Sequence, residues 1–69
     1  MEELRDCNHH LVCMGDPISG FVESIYKGHK TSTILSPGEI FTIERQGVVT
    51  KIKRTETGDF SIDSHIIAA

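Results

Sequence analysis

The sequence predicts an all-β protein, a small barrel or sandwich of short strands composed of two quasi-repeated halves. Three observations predict this class. Short apolar runs recur at intervals of roughly 8–12 residues with glycine-bearing turns between them, a spacing typical of β-barrels and sandwiches. No segment after residue 10 has a helical period. The stretch GFVESI at residues 20–25 also has a counterpart in GVVTKI at residues 47–52.

The first ten residues, MEELRDCNHH, begin with helix formers but contain no apolar stripe that could dock a helix. Isolated helices shorter than about 12 residues are marginal in water. We therefore expect residues 1–10 to be a tail or a short helical turn. Residues 11–69 are expected to form a single small β domain.

Two strands are predicted in the next stretch. The apolar run at residues 11–14 ends at the turn sequence Gly-Asp-Pro, residues 15–17. A second strand follows over residues 18–26, where Gly20 interrupts the apolar pattern. A glycine inside a strand indicates a bulge or a bend.

The middle of the chain alternates between turns and strands. A polar turn at residues 27–30 leads into a weak strand at residues 31–35. Ser-Pro-Gly at residues 36–38 is the strongest turn signal, because proline presets φ and glycine accepts a positive φ. Strands are predicted to follow at residues 40–43 and 48–52.

The last part of the chain has a turn at residues 57–59 and apolar runs at residues 60–62 and 65–67. These runs are predicted to complete the sheet. The residues expected to form the core are Val12, Val22, Ile25, Leu35, Ile40 or Phe41, Ile43, Val49, Ile52, Phe60, Ile62, and Ile66 or Ile67.

An offset of 27 residues aligns Gly20, Val22 and Ile25 with a glycine, a valine and an isoleucine at residues 47–52. Matches at the opening glycine and in the strand cores are where a structural repeat would keep them. The stretch FTIERQGVVTKI at residues 41–52 is then either an ordinary hairpin or the seam between two copies. The repeat favours the seam.

The segments SGFVESI, LSPGEIFTIE and GVVTKIKRTETGDFSIDSHII together resemble the two halves of the biotin/lipoyl attachment domains, over about residues 17–67. The resemblance implies the fold of that family, the barrel-sandwich hybrid, a flattened barrel of two quasi-symmetric halves. Family members carry the modified lysine, typically flanked by methionines, on a hairpin between the halves. Here Arg45 and Gln46 alone join them, and Lys51 and Lys53 lie inside a strand pattern.

The resemblance therefore implies a scaffold that carries neither biotin nor lipoate, and no cofactor is expected. We predict a non-catalytic protein-interaction or accessory module. The 69-residue chain buries only about 60% of the surface that its unfolded form exposes, so stability is marginal and a homo-oligomer is expected. Loss of the hairpin would also leave strand edges open to a second copy.

A metal-stabilised small domain is one alternative. Two thiols and two imidazoles, a donor set that Zn²⁺ accepts, occur within seven residues: Cys7, His9, His10 and Cys13. This spacing is poor, because structural sites bring ligand pairs from two separate elements. The other interpretation is a polar tail that runs into a strand with Cys13 packed as a small apolar residue.

A small barrel of the OB or SH3 type that binds nucleic acid is the second alternative. The residues that would carry it are Lys27, Lys30, Lys51, Lys53 and Arg54. Three aromatic residues could stack on bases. A net charge of −3 argues against this alternative, since neutralising phosphates normally needs a basic face.

Several other classes are disfavoured. The sequence has no nucleophile elbow, no glycine-rich loop that opens a helix and no HExxH motif, so no enzymatic activity is expected. No apolar run approaches the ~18 residues of a membrane span. Two cysteines are too few for a secreted disulfide scaffold, so free thiols and a cytoplasmic location are expected.

Overall fold

The computed structural model describes residues 1–67, so the last two residues of the predicted domain lie outside the described part. The described chain is all-β and forms two sheets. The strands are β1 (Glu2–Arg5), β2 (Leu11–Asp16), β3 (Phe21–Tyr26), β4 (His29–Ile34), β5 (Ile40–Arg45), β6 (Val48–Arg54) and β7 (Phe60–Ile66). Within residues 1–67 we find no helix long and apolar enough to cross a membrane.

All the strand pairs within residues 1–67 are antiparallel and join neighbours in sequence, and β4 and β5 are the neighbours that do not pair. Strands β1-β2-β3-β4 form one sheet, and strands β5-β6-β7 form the other. Residues 35–39 link the two sheets, which pack face to face across a single apolar core. Over the described residues the strands remain in two sheets and do not close into a barrel.

The N-terminal segment corrects one prediction. Residues 2–5 form β1, where we expected a tail or a short helical turn. Leu4 is the reason, because its side chain is buried in the apolar core near Gly15 while its three strand neighbours stay exposed. One apolar residue in four was too weak a sequence signal to predict a strand.

Strand β2 contains a β-bulge. Leu4 lies opposite Cys13 while Arg5 lies opposite Leu11, so Val12 is an extra residue in β2. Val12 and Cys13 are consequently both buried, although side chains in a regular strand point to alternate faces. This agrees with the interpretation of Cys13 as a small apolar core residue.

The stretch at residues 41–52 is an ordinary hairpin, and its prediction as a seam is wrong. Gln46 (φ 50°) and Gly47 (φ 76°) form a two-residue loop between paired residues Arg45 and Val48. Positive φ at both loop positions matches the right-handed twist of the flanking strands. The true boundary between the sheets is the link at residues 35–39.

The 27-residue offset aligns β3 with β6, but the two strands bury opposite members of each aligned pair. Val22 is fully buried, whereas Val49 is only half-buried; Ile25 is 60% exposed, whereas Ile52 is fully buried. Even-numbered residues face the core in both strands, so an odd offset exchanges the two faces.

The predicted core is correct in its centre, and its errors lie on β3, β6 and the C-terminal strand. Val12, Val22, Leu35, Ile43 and Ile52 are buried, and Phe41 and Phe60 pack against them. The structure adds Leu4, Cys13 and Val48. Of the pair Ile40 or Phe41, the structure selects Phe41. The residues that we wrongly placed in the core are Ile25, Ile62, and Ile66 or Ile67, which are exposed, and Val49, which is half-buried.

Candidate functional site

The β1–β2 loop, which carries most of the predicted metal ligands, is organised by Asp6. This carboxylate is buried, and its Oδ1 accepts hydrogen bonds of 2.9 Å from the backbone N–H groups of Asn8 and His10. The backbone of Asp6 also bonds to His9 and His10 at 3.0 Å. The positive φ of His9 (65°) lets the chain turn around the carboxylate.

The four predicted metal ligands do not converge. Cys7 is exposed, whereas Cys13 is buried with its Sγ 3.4 Å from the carbonyl oxygen of Met14. Nδ1 of His10 lies 3.8 Å from Oδ2 of Asp6. Burial raises the pKa of the Cys13 thiol, which makes the thiolate that a metal needs harder to form. Within residues 1–67, no three His, Cys, Asp or Glu side chains form a group that could hold a metal ion.

The basic residues of the nucleic-acid alternative lie in different parts of the molecule. Lys27 occupies the β3–β4 turn, with its Nζ 5.5 Å from the ring centroid of Tyr26. The Nζ of Lys30 is 3.3 Å from a carboxylate oxygen of Glu23 on the neighbouring strand. Both belong to the first sheet, whereas Lys51 and Lys53 are on the second.

Lys51 and Lys53 share the exposed outer face of β6, as the sequence predicted. Their neighbours across β7 are Asp63 and Ser61, so a carboxylate lies directly beside one of the two cations. This outer face is therefore mixed in charge rather than a continuous basic surface.

Arg54 turns inward and acts as a structural cross-link. Its Nη1 donates a 3.0 Å hydrogen bond to the carbonyl of Leu35, and its Nη2 donates one of 3.1 Å to the carbonyl of Pro17. The guanidinium thus ties the end of β6 to the β2–β3 turn and to the link between the sheets. The sequence could have shown that Arg54 differs from Lys51 and Lys53. Side chains alternate between the two faces of a strand, so the even-numbered Arg54 faces away from the two odd-numbered lysines.

A further candidate surface, which the sequence analysis assigned to the core, lies along β7. Ile62 and Ile66 point to the inner side of the second sheet, opposite the buried Ile52 and Val48. They are nevertheless 40% and 66% exposed. We call Ile62, Ile66 and the outer backbone edge of β7 the β7 apolar edge.

The β7 apolar edge adjoins the β1–β2 loop. Ser64, midway between the two isoleucines, accepts a 3.0 Å hydrogen bond from the backbone N–H of Cys7 and lies 3.0 Å from Oγ1 of Thr50. The polar centre of the strand is thereby satisfied within the chain. The apolar side chains on both sides of it are the part that still contacts water.

Comparison of the chain with protein-family models, with curated proteins and with solved structures gave no match.

Proposed function

We propose that the chain is a non-catalytic protein-interaction module that works as a homodimer paired through the β7 apolar edge. The observation that carries this proposal is the exposure of Ile62 and Ile66 on a side of the sheet that is buried elsewhere. Exposed isoleucines on an edge strand are a template for pairing with another chain. The residue pattern along β7 favours a second copy of the same chain as the partner that pairs with this edge.

The free backbone groups of β7 belong to its even-numbered residues. Ile67 donates a 2.7 Å hydrogen bond to the carbonyl of Gly47, and Thr55 donates one of 2.8 Å to that of Asp59. Odd-numbered residues of this strand therefore bond to β6. Because backbone groups alternate in direction along a strand, those of Ile62, Ser64 and Ile66 point to the open edge.

One two-fold symmetric register gives favourable side-chain pairs on both the inner and the outer face of β7. With Ser64 opposite Ser64 of the second copy, each Ile62 lies opposite an Ile66 on the inner face. On the outer face, each Asp63 then lies opposite a His65 in the closely spaced, non-hydrogen-bonded type of pair. Moving the register by one step towards the start of the strand would place Asp63 against Asp63, so charge favours the Ser64-centred arrangement.

The size of the domain supports the same proposal. Among residues 1–67 eight apolar residues are buried, and small domains bury a low fraction of their surface. Pairing two β7 strands would join the second sheets of both copies into one continuous sheet. The added hydrogen bonds and isoleucine burial supplement a core that is small by itself.

We further propose that the module is a degenerate domain of the biotin/lipoyl attachment type. Two three-stranded meanders, β2-β3-β4 and β5-β6-β7, follow one another in the chain. Lys51 and Lys53 lie in the middle of β6, and the turn before that strand is only two residues long. A domain of that type without its attachment lysine would retain only a scaffold and a binding surface. Because the basic side chains are dispersed over the molecule, protein binding is favoured over the nucleic-acid alternative.

The decisive measurement is the mass in solution, by sedimentation equilibrium, of the wild type and of Ile66→Lys. We expect a dimer for the wild type and a monomer for Ile66→Lys, because two lysines would face apolar side chains across the edge. Ile34→Lys is the matched control, since Ile34 is 65% exposed but lies on β4. A wild type that stays monomeric at roughly 100 μM, a concentration at which even a weak dimer would be detected, would overturn the proposal.

Cross-linking tests the register. The backbone of Cys7 is bonded to Ser64, so two exposed Cys7 thiols lie close to the proposed two-fold axis. A short bismaleimide should link the copies, and Cys7→Ser should abolish the product, whereas Cys13 is buried and should not react. A dimer that forms without any Cys7 cross-link would contradict the Ser64-centred register while leaving association itself in place.

A further inference from the structure

A polar cleft lies at the end of the molecule where the β1–β2 loop meets the β3–β4 and β5–β6 turns. Its volume is about 370 Å³, within the size range of small-molecule sites. Asp6, Tyr26, Lys27 and Arg45 line it, together with apolar side chains that include Leu11 and Ile25. The β7 apolar edge is not part of it.

Arg45 is held rigidly in this cleft by two contacts. Its guanidinium carbon lies 4.4 Å from the centroid of the Tyr26 ring, a cation–π distance. Its Nη2 donates a hydrogen bond to Oγ of Ser24, which in turn donates one of 2.8 Å to the carbonyl of Val12. The stacked ring and the buried hydroxyl fix the plane of the guanidinium before any ligand arrives.

The remaining N–H groups of Arg45 are available to a ligand. The ion pairs of the described residues join Arg5 to Glu3, His10 to Asp6 and Lys30 to Glu23, so no carboxylate in residues 1–67 pairs with Arg45. The one buried side-chain nitrogen without a partner in that part of the chain belongs to Arg54. The unused donors of Arg45 are therefore not buried, and Arg45 is one of the residues that line the cleft.

The charges around the cleft favour an anion. Arg45 and Lys27 contribute two cations, and Asp6 contributes one carboxylate. That carboxylate is already committed to the backbone N–H groups of Asn8 and His10. The lining is thus positive in a chain whose net charge is −3, and such a cleft concentrates anions locally.

We infer that this cleft binds a small organic carboxylate, with Arg45 as the planar, two-pronged donor and Lys27 as a second cation at the rim. A preorganised guanidinium matches the geometry of a carboxylate and loses little conformational freedom on binding. The apolar walls formed by Leu11 and Ile25 are suited to the carbon chain of the ligand. This site does not depend on pairing through β7.

The test is a titration of the ¹⁵N-labelled protein with succinate, followed by backbone and arginine side-chain NMR shifts, against sodium chloride at matched ionic strength. We expect saturable shifts at Tyr26, Lys27 and Arg45, with an affinity of roughly 1 mM or tighter. Arg45→Gln should weaken binding at least about tenfold, the usual effect of losing a charged hydrogen-bond donor. Lys53→Gln removes the same charge from an exposed position outside the cleft and should leave the affinity unchanged.

Arg45→Lys separates planar recognition from charge. It keeps the cation but loses the fork and the stack on Tyr26, so we expect binding to weaken severalfold while the folded spectrum is retained. Shifts that follow ionic strength alone, or equal binding by Arg45→Gln and the wild type, would refute the carboxylate site. Equal binding by Arg45→Lys and the wild type would refute the planar role of Arg45.

Discussion

Strands β4 and β7 each form an open edge of a sheet, but they differ in the side chains on their inner sides. All six residues of β4 are exposed, and its inner side presents Thr31 and Thr33. The inner side of β7 presents Ile62 and Ile66 instead. All four of these side chains are exposed, but only those of β7 are apolar.

This difference shows that exposure alone does not identify a binding surface. Threonine has a high strand propensity and a hydroxyl that tolerates water, so β4 is stable as a solvated edge. Isoleucine at the corresponding positions of β7 leaves apolar area in water, which costs about 25 cal/mol per Å². The two edges should therefore respond differently to mutation, and both should differ from the covered centre.

The largest effect is expected at the centre of the second sheet, between the edges. Ile52→Ala removes a fully buried side chain from β6 and should lower the free energy of unfolding by about 2–5 kcal/mol. Ile34→Ala on β4 should change it by no more than about 0.5 kcal/mol. Urea unfolding measures both, and similar losses in the two variants would contradict the assignment of β4 as a solvated edge.

Arg54→Ala is expected to have the next largest effect, because it cuts the cross-link between the end of β6 and the link between the sheets. The carbonyls of Leu35 and Pro17 would lose their guanidinium donor, which should cost about 1–3 kcal/mol. Lys53→Ala, one residue away on the exposed face, is the control and should cost less than about 0.5 kcal/mol. Equal behaviour of the two variants in urea would show that Arg54 is only a surface cation.

A gain of association should follow from making β4 resemble β7. Thr31→Ile combined with Thr33→Ile places two isoleucines on the inner side of the β4 edge. We expect the sedimentation mass to rise above that of the dimer, because β4 could then pair with another copy in addition to β7. The matched variant Thr31→Ser with Thr33→Ser should keep the wild-type mass.

The smallest expected effect is the contribution of the buried Cys13 on β2 to the pH dependence of the free energy of unfolding. Burial raises the pKa of the Cys13 thiol, so the unfolded chain loses this proton at lower pH than the folded one. The thiol therefore stabilises the fold fully below about pH 8.5, the usual thiol value, and this contribution falls as pH rises through the folded pKa.

Urea unfolding of the wild type and of Cys13→Ala at about pH 7.5 and about pH 9.5 measures this contribution. The wild type should lose more stability between the two pH values than the variant. Cys7 is present in both proteins and serves as the internal control. A difference that does not depend on pH would contradict the role of the buried thiol.

The turns of this fold could be predicted from sequence because they depend on local chemistry. Gly47 and the Ser-Pro-Gly turn each favour a particular backbone conformation, and each lies at a strand boundary in the structure. The all-β class followed from the spacing of those turns. Strand β1 could not be predicted, because a single leucine gains its role from a core whose other members lie elsewhere in the chain.

Two of the errors in the predicted core, at Ile25 and Val49, have the same physical origin. Ile25 lies three residues from Val22, so the two side chains of one strand point to opposite faces. Hydrophobicity alone placed both inside, whereas alternation allows only one. The same applies to Val49 and Ile52 on β6.

The candidate sites were harder to predict than the fold. The β7 apolar edge consists of ordinary core-type residues, and only the extent of the opposite sheet leaves them uncovered. Arg45 becomes a candidate ligand residue because Tyr26 and Ser24 lie beside it in space. Neither relation leaves a pattern in the sequence.

The strictly sequential order of strands has a consequence for how this chain folds. Each strand pairs only with its neighbours along the chain, and no pair crosses residues 35–39. Hairpins of this kind close in about 1–10 μs, so each sheet can form as an independent unit before the two dock. We therefore expect docking of the second meander onto the first sheet to be the step that buries the core, because Val22 and Ile52 reach it from opposite sheets.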